Sequence, residues 1–364
     1  KLGELLQNDK LGNLNMQLAS NGNGNTVYDL TAEFSTKIDS IRFDAYTFLG
    51  MSISGDLEKG KGELDFGYRD ENLQFDVASD IALDSVSPQI DVKLNLKGIR
   101  TKIFNLTSKD LRAKLLANFQ FKGNTNDFRF DAQLRDGLVV YDSKPFYLGG
   151  VDFSSKVDST KTIAEIKSQF LNANFDANDD IEGISRALQN HFENYEKDSA
   201  TIESAERPVN FDLDLSFIDS PILSQVFVEG IQEMDTLQAS IQFDEEKNQL
   251  TSKLNLPYLN YKDNEITRLG VNVKSNGDKA EFNFGFDKVL AGPFDIAKTN
   301  IDGKYEAREL NLKLDAFKDG KDFYSSSISV KFEDDELYRI SVSPDNLVLN
   351  DALWSIPKGN EIVY

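Results

Sequence analysis

The amino-acid sequence predicts an all-β protein built from successive antiparallel strands. Apolar and polar residues alternate along many short segments, as in residues 209–217, where every second side chain from Val209 to Phe217 is apolar. A period of two is the pattern of a strand with one apolar and one polar face. Turn sequences rich in Asn, Asp and Gly separate the segments, and short strands joined by such turns indicate hairpins instead of βαβ units.

The alternation recurs along the chain, most clearly in residues 90–96, 128–134, 282–286, 310–314 and 328–332. At the usual strand-plus-turn spacing of about 8–12 residues, the chain has room for roughly twenty strands or more. The predicted tight turns are Asn21-Gly22-Asn23-Gly24, Asp136-Gly137, Asn276-Gly277, Asp302-Gly303 and Asp319-Gly320. The segment 108–119 fits either a helix or a strand.

Two segments break the period of two and predict amphipathic helices in the middle of the chain. In residues 179–198, Asp179 and Glu182 resemble a capping box, and one helical face is apolar. In residues 219–234, Ser220 is a good N-cap and Pro221 suits the first helical position. The apolar stripe of the first helix is Ile181, Ile184, Leu188, Phe192 and Tyr195, and that of the second is Ile222, Leu223, Val226, Phe227 and Ile231.

A polar link follows the first helix and places a domain boundary at about residue 200. The sequence therefore predicts two β segments. The first comprises residues 1–200 and ends in an amphipathic helix. The second comprises residues 201–364 and opens with a strand and a helix.

Composition narrows the classes of function. With 40 Lys and Arg against 61 Asp and Glu, the net charge is −21, and such a surface repels nucleic acid and anionic headgroups. The chain has no Cys, which removes disulfides, thiolate nucleophiles and zinc–thiolate sites. No apolar run is long enough to cross a bilayer as a helix. Because the first residue is Lys1, we expect a mature or excised segment whose membrane anchor lies outside it.

Catalytic motifs are missing from the sequence, so we expect no enzyme activity, cofactor or metal site. The only histidine, His191, has no second His or Cys with which to form a triad or a metal site. A structural or solvent-facing role is therefore expected for it. Carboxylates are abundant, but most fall on polar strand faces or in turns. Phosphate-binding Gly loops, nucleophile elbows and dinucleotide fingerprints do not occur.

A weaker signal is Asp followed by Ser or Thr and then by an apolar residue or Thr. This pattern resembles the O-glycosylation motif of exported Bacteroidota proteins, although about two matches would arise by chance from composition alone. The candidate hydroxyl groups belong to Ser40, Ser85, Ser159, Ser199 and Thr236.

Alternation alone leaves open what the apolar strand faces contact. Two sheets could pack face to face as a sandwich, one sheet could close into an outer-membrane barrel, or one sheet could curl into an open trough. The mid-chain helices and the lack of aromatic girdles disfavour the barrel. The sandwich and the trough require the same pattern.

Two stretches carry a resemblance to a known family. Residues 136–195 contain an Asp-Gly hairpin, the strand pair VVYDSKPFYL, the strand SQFLNANFDA and a helix that ends at Tyr195, in that order. The second stretch is the tail NLVLNDALWSIPKGNEIVY, whose matching positions are Leu349, Asn350, Asp351, Trp354, Asn360 and Ile362. Both stretches resemble TamB proteins of the AsmA-like superfamily, as found in Bacteroidota.

The resemblance implies a long antiparallel sheet curled into a U-shaped hydrophobic groove, with a β-sandwich binding or adhesion module as the alternative. It implies a periplasmic segment, anchored to the inner membrane, that carries phospholipid between the inner and outer membranes. It also implies a role in outer-membrane protein assembly beside a BamA-like barrel protein. The predicted lipid-contacting residues are Phe128, Phe130, Leu134, Val209, Phe211, Leu213, Leu215, Phe217, Phe282, Phe284, Phe286, Leu310, Leu312 and Leu314.

Overall fold

The structure, a computed structural model, describes residues 10–44, 46–193, 195, 207–318, 320–333 and 337–364. It confirms the all-β prediction, because antiparallel strands make up most of the chain and two helical segments lie in its middle. The chain divides into two compact units between Ser159 and Phe170. Among the described residues, no helix is both long enough and apolar enough to span a membrane.

The first unit is a meander in which each strand pairs with the next. A short 3-10 helix, Thr101–Phe104, lies between its sixth and seventh strands. The strands are β1 (Leu11–Asn23), β2 (Thr31–Phe43), β3 (Tyr46–Glu58), β4 (Lys61–Arg69), β5 (Leu73–Ala82), β6 (Gln89–Arg100), β7 (Arg112–Gly123), β8 (Phe128–Tyr141) and β9 (Lys144–Asp158). The ambiguous segment 108–119 thus belongs largely to a strand.

The second unit contains helix α1 (Ile181–Glu193) and a π-helical turn at Leu223–Phe227. Strand β10 (Lys161–Ser168) contributes residues to both units. The other strands are β11 (Leu171–Ala177), β12 (Asn210–Phe217), β13 (Ile231–Met234), β14 (Leu237–Asp244), β15 (Gln249–Tyr261), β16 (Asn264–Ser275), β17 (Lys279–Phe286), β18 (Lys288–Ala291), β19 (Phe294–Ile296), β20 (Thr299–Glu306), β21 (Glu309–Lys318), β22 (Lys321–Phe332), β23 (Tyr338–Val342), β24 (Val348–Leu349), β25 (Ala352–Leu353) and β26 (Ile362–Val363).

Pairing in the second unit departs twice from a simple meander. Strand β12 pairs with β14, while the short strand β13 pairs with the far end of β15. Strand β17 pairs with β20, and β18 with β19 forms a side hairpin attached to β16. These detours leave one ladder of ten strands, β11, β12, β14 to β17 and β20 to β23.

Four of the two-residue hairpin turns contain no glycine. In the four pairs Asp142-Ser143, Lys262-Asp263, Ala307-Arg308 and Asn350-Asp351, both φ angles lie between 48° and 62°. Two positive φ values in a row define a type I′ turn, whose twist matches that of the flanking strands. A prediction of turns from glycine positions therefore does not find these four.

Two of the predicted turns lie inside strands instead. Asp136 has a φ of 53° and sits where β8 shifts its register against β9, so Asp136-Gly137 is a bulge and not a hairpin. Gly303 lies within β20, where the ring of Phe282 occupies the space that a side chain at this position would need. A Cβ at Gly303 would lie 2.0 Å from the ring.

The remaining turn predictions have mixed outcomes. Asn276-Gly277 forms the predicted turn, with the Asn276 amide donating to the carbonyl of Lys279 at 3.0 Å. In the first predicted turn, β1 continues through Asn23, so the chain leaves the strand only at Gly24. Asp319 lies outside the described residues.

The second predicted helix is shorter and wider than expected. The Leu223 amide donates to Ser220 Oγ at 3.4 Å, which confirms the Ser220 cap. The Val228 amide then donates to the carbonyl of Leu223, five residues back, which is the bond of a π-helix. Phe227 is 59% exposed and Ile231 begins a strand, so the apolar stripe ends at Val226.

A partly buried polar cluster holds the turn between β4 and β5. The hydroxyl groups of Tyr46 and Tyr68 both donate to Asp70 Oδ2, and the amides of Asn72 and Leu73 donate to Asp70 Oδ1 at 2.7 Å. Burial alone raises the pKa of the Asp70 carboxyl, but these four hydrogen bonds outweigh it and hold that pKa below its ordinary value. The charged carboxylate therefore ties the turn to β3.

The predicted boundary near residue 200 falls among residues 196–206, which lie outside the described chain. The two compact units of the structure meet earlier in the chain, between Ser159 and Phe170. The reason is that α1 packs on strands β12 and β14, which follow it in sequence. The helix therefore groups with the second unit and does not close the first.

The close approach at Gly303 makes a stability prediction. We expect Gly303→Val to lower the free energy of unfolding by about 1–3 kcal/mol, because the new side chain must displace the Phe282 ring. The matched control is Gly270→Val in β16, where a Cβ meets open space and a β-branched residue suits the strand. Urea unfolding measures both variants, and equal losses would contradict the packing described.

Candidate functional site: the apolar sheet face

Register pairing shows which side chains share a face in the second unit, because directly paired residues point the same way. One apolar row crosses all ten strands of the ladder. A second row lies beside it on the same face, displaced by two residues on each strand, and crosses nine strands. The Leu213 row is Phe175, Leu213, Ile241, Ser252, Val273, Phe282, Gly303, Leu312, Ile328 and Val342. The Leu215 row is Ala173, Leu215, Ala239, Leu254, Val271, Phe284, Ile301, Leu314 and Ser326.

These rows bring together predicted lining residues from three separate parts of the chain. Leu213, Phe282 and Leu312 share the first row. Leu215, Phe284 and Leu314 share the second, and Phe211 and Leu310 share the next row on the other side. Phe217 and Phe286 lie farther along, where Phe217 pairs with Leu237 and Phe286 with Thr299.

The apolar side chains of both rows remain partly exposed. Only the two small members Gly303 and Ser326 are buried. An opposing sheet packed about 10 Å away, as in a sandwich, would remove such rows from water. An uncovered apolar surface of this extent is typical of a binding surface and not of a solvated sheet.

The first unit carries a comparable row across its nine strands. The Leu94 row is Leu18, Thr36, Ile53, Phe66, Val77, Leu94, Ala117, Leu134 and Val151. It includes the predicted residue Leu134, while Phe130 and Phe128 lie farther along β8 and pair with Phe121 and Gly123. Ala117 and Thr36 are buried, and the other members stay accessible.

Helix α1 covers one end of the apolar face in the second unit. Ile184 and Ala187 form a buried core with Val209, Phe211 and Phe243. Val209 is 0% exposed and Phe211 is 6% exposed, so these two predicted lining residues contact the helix in this structure. Strands β12 and β14 are paired on both sides, so the helix covers the face of the sheet and not an edge.

The buried stripe of α1 is rotated from the predicted one. Gly183, Ile184, Ala187 and His191 are buried, with Leu188 packed beside them. Ile181 and Phe192 are more than half exposed. The cap is also one residue later than predicted, because the Gly183 amide donates to Asp180 Oδ1 at 2.8 Å.

His191 anchors the end of α1 to the sheet. It is 1% exposed, its Nδ1 lies 2.7 Å from Asn248 Oδ1, and its Nε2 lies 2.6 Å from Ser275 Oγ. Because the amide oxygen can only accept, Nδ1 carries the hydrogen and Nε2 accepts from the Ser275 hydroxyl. Burial lowers the pKa of His191, although the hydrogen bond to Asn248 acts in the opposite direction. The neutral imidazole thus joins the helix to β16 and to the turn before β15.

The polar strand faces form separate clefts. A cleft of 910 Å³ in the second unit has walls of polar side chains from two adjacent rows. Six members of the Leu213 row line it between these walls, namely Val273, Phe282, Gly303, Leu312, Ile328 and Val342. The first wall is Asn272, Asn283, Asp302, Lys313 and Ser327, and the second is Lys274, Glu281, Lys304, Asn311, Ser329 and Ser341. Both polar rows line this cleft and the Leu215 row does not, which indicates that the cleft opens on the polar face of the sheet. The alternation of apolar and polar residues does not predict this cleft, and the cleft differs from the apolar groove that the family resemblance implies.

The candidate glycosylation positions differ in accessibility. Ser85 and Ser159 are exposed, whereas Ser40 and Thr236 are partly buried. Ser40 Oγ accepts a hydrogen bond from the side-chain amide of Asn15 at 3.0 Å. Ser199 lies outside the described residues. Ser85 and Ser159 are therefore the more accessible candidates.

The anchor at His191 predicts a pH dependence of stability. The unfolded chain binds a proton at His191 near pH 6.5, whereas the folded chain does so only at lower pH. Neutral His191 should therefore contribute its whole stabilisation above about pH 6.5. As the pH drops to 5.5, the free energy of unfolding should fall by at most about 1.4 kcal/mol per pH unit. Urea unfolding at pH 7.0 and 5.5 measures this change.

The control is His191→Gln, which keeps a polar side chain but does not titrate. As the chain has only one histidine, no other imidazole contributes in this pH range. The variant should be less stable at pH 7.0 and less sensitive to pH. An unchanged pH sensitivity would contradict the assigned anchor.

We compared the chain with protein families, curated proteins and solved structures. The chain matches no protein-family model, no curated protein and no solved structure. The resemblance of residues 136–195 and of the tail to AsmA-like proteins therefore rests on the quoted residues alone.

Proposed function

We propose that this chain carries lipid acyl chains along its apolar sheet face, as a periplasmic segment of a phospholipid conduit between the inner and outer membranes. The observation that carries the proposal is the continuity of the Leu213 and Leu215 rows, whose apolar side chains stay accessible across the strand ladder. The resemblance to AsmA-like proteins supports the same function independently. A BamA-like barrel protein is the proposed assembly partner on that ground.

The dimensions of the rows suit an acyl chain. Ten strands spaced about 4.8 Å apart give the Leu213 row a length of about 43 Å along the sheet. This exceeds the roughly 30 Å hydrocarbon thickness of a bilayer, so a whole acyl chain fits end to end across the strands. Each methylene group kept from water is worth about 0.8 kcal/mol, which gives a lipid tail a strong reason to stay on the face.

The chemistry of the rows favours movement over capture. Their members are mainly Ala, Val, Leu, Ile and Phe, with hydroxyl groups at Ser252 and Ser326. Such side chains offer contact area without a directional bond, so a tail can shift by one strand without breaking a specific contact. The headgroup meanwhile can remain in water beyond the row.

Helix α1 limits the face at one end. The row that contains Phe211 and Phe243 is already covered by Ile184 and Ala187. Acyl chains would therefore occupy the Leu213 row and the rows beyond it, with the helix as a boundary. Anchoring to the inner membrane would come from a segment outside this sequence.

Photo-crosslinking tests which face meets lipid. Benzoylphenylalanine at Leu213 or Leu254 should give phospholipid adducts in the native membrane envelope, because both positions lie in the apolar rows. The adjacent residues Asp214 and Lys253 are matched controls, since the pleat turns them to the exposed polar face. Adducts at all four positions, or at none, would contradict the proposal.

A charge placed in the row provides a second test. Phe284→Arg should fold, because the arginine can extend towards water from a partly exposed position, and should lower co-purified phospholipid several-fold. Asn272→Arg, on the exposed polar face of the neighbouring strand, should leave lipid recovery unchanged. If Phe284→Arg fails to fold by circular dichroism, the face is packed against protein and the proposal fails. An unpaired buried charge costs several kcal/mol.

A further inference from the structure

The cleft of 910 Å³ on the polar face of the second unit has a floor of serine residues. Ser329 of β22 pairs with Ser341 of β23. Beside them, the Ser343 amide donates to the carbonyl of Ser327 at 2.8 Å. These four serines are partly buried, whereas Asn311 on the neighbouring strand β21 is exposed. Because serine is small, the four positions leave space below the larger side chains that surround them.

Several side chains of the cleft have hydrogen-bonding capacity that the protein leaves unused. Ser329 Oγ donates to Glu309 Oε1 at 2.6 Å, so this hydroxyl already has a partner. In contrast, the side chains of Ser327, Ser341 and Asn311 form no hydrogen bond with any residue that the structure describes. A serine hydroxyl and an asparagine amide can each both donate and accept. The cleft therefore offers donors and acceptors side by side to a ligand.

The lining of the cleft is electrically balanced, although the chain has a net charge of −21. Lys313 lies 2.7 Å from Asp315, and Glu361 lies 2.9 Å from Arg339, so these charges are already paired within the protein. An anionic ligand would lie beside three carboxylates and a cationic ligand beside three lysines, so the lining favours an uncharged polar ligand. The six charged residues of the lining are Lys274, Glu281, Asp302, Lys304, Lys313 and Glu361.

The first unit contains a cleft of similar construction, with a volume of 570 Å³. The small residues Gly67 and Ala78 lie on the polar face of the adjacent strands β4 and β5 and line this cleft. Ser54, Asn95 and Asn118 also line it, and their side chains have no hydrogen-bond partner among the described residues. Its charged residues again balance, as Asp65, Asp76, Lys93 and Arg135. Small residues, available Ser and Asn side chains and balanced charge thus occur together in both units.

We infer that the cleft of the second unit binds an uncharged oligosaccharide, with Ser327, Ser341 and Asn311 as its hydrogen-bonding residues. A sugar hydroxyl both donates and accepts, which matches side chains that do the same and requires no ion pair. The volume of 910 Å³ falls within the range of about 300–1,000 Å³ that is usual for ligand pockets. The site lies on the face opposite the Leu213 and Leu215 rows, so the inference does not rest on the proposed lipid function.

Titration calorimetry of the full chain with chitotetraose and with cellotetraose, two uncharged tetrasaccharides, tests the inference. At least one of them should bind. Ser327→Leu should weaken that binding about tenfold or more, because leucine fills the floor of the cleft and removes a hydroxyl. The matched control is Ser240→Leu on the polar face of β14, which is partly exposed like Ser327 but does not line the cleft. The control should bind with unchanged affinity.

Asn311→Ala provides a second variant, which should fold normally because Asn311 is exposed. The loss of its amide should weaken binding about threefold or more, whereas Asn255→Ala, at an exposed position of β15 outside the cleft, should leave the affinity unchanged. Absence of binding to both tetrasaccharides, or equal affinities for the unmodified protein and Asn311→Ala, would overturn the inference. Phosphocholine is the third probe. If it binds in place of the tetrasaccharides and Asn311→Ala weakens its binding, the cleft is a site for a lipid headgroup and the inference is overturned.

Discussion

In-register antiparallel pairing is the constraint on which the two faces of this protein depend. Side chains alternate along a strand, so a slip of one residue between neighbours would exchange the apolar and polar faces. Strands β15 and β16 hold one register from Leu250–Ser275 to Tyr261–Asn264, and the type I′ turn at Lys262-Asp263 fixes it at the end. Where register does shift, as at Asp136, a bulge absorbs the extra residue and the alternation resumes.

Helix α1 covers only one end of the apolar face in the second unit. At one end α1 buries Phe211 and Phe243, and His191 joins the helix to the sheet through Asn248 and Ser275. This end resembles an ordinary protein core, in which buried polar groups are hydrogen-bonded. Phe175 and Ile241 of the Leu213 row still pack against this core. The other apolar side chains of the Leu213 and Leu215 rows are partly exposed. The buried core of the second unit thus lies beside the helix, and the partly exposed rows are the surface that we propose binds acyl chains.

The sequence predicted the strand class well because alternation is a local signal, and it grouped Leu213, Phe282 and Leu312 correctly on one kind of face. The sequence-based prediction was wrong where a contact between residues distant in sequence determines the structure. It was also wrong where a tight turn contains no glycine. Asp142-Ser143 forms a hairpin without glycine, and Asp302-Gly303 forms none because Gly303 accommodates a ring from the neighbouring strand. The rotation of the α1 stripe depends on Asn248 and Ser275, which are far from the helix in sequence.

An accessible apolar face creates a problem of self-association, and the charge distribution bears on it. The net charge of −21 keeps separate molecules apart through long-range repulsion. Because charged side chains occur in every described strand of more than two residues except β1, the repulsion is spread over the strand ladder. Strand β1 is neutral and exposes Met16 and Leu18. Non-specific contact between molecules is thereby disfavoured across the charged strands, which make up most of the described sheet.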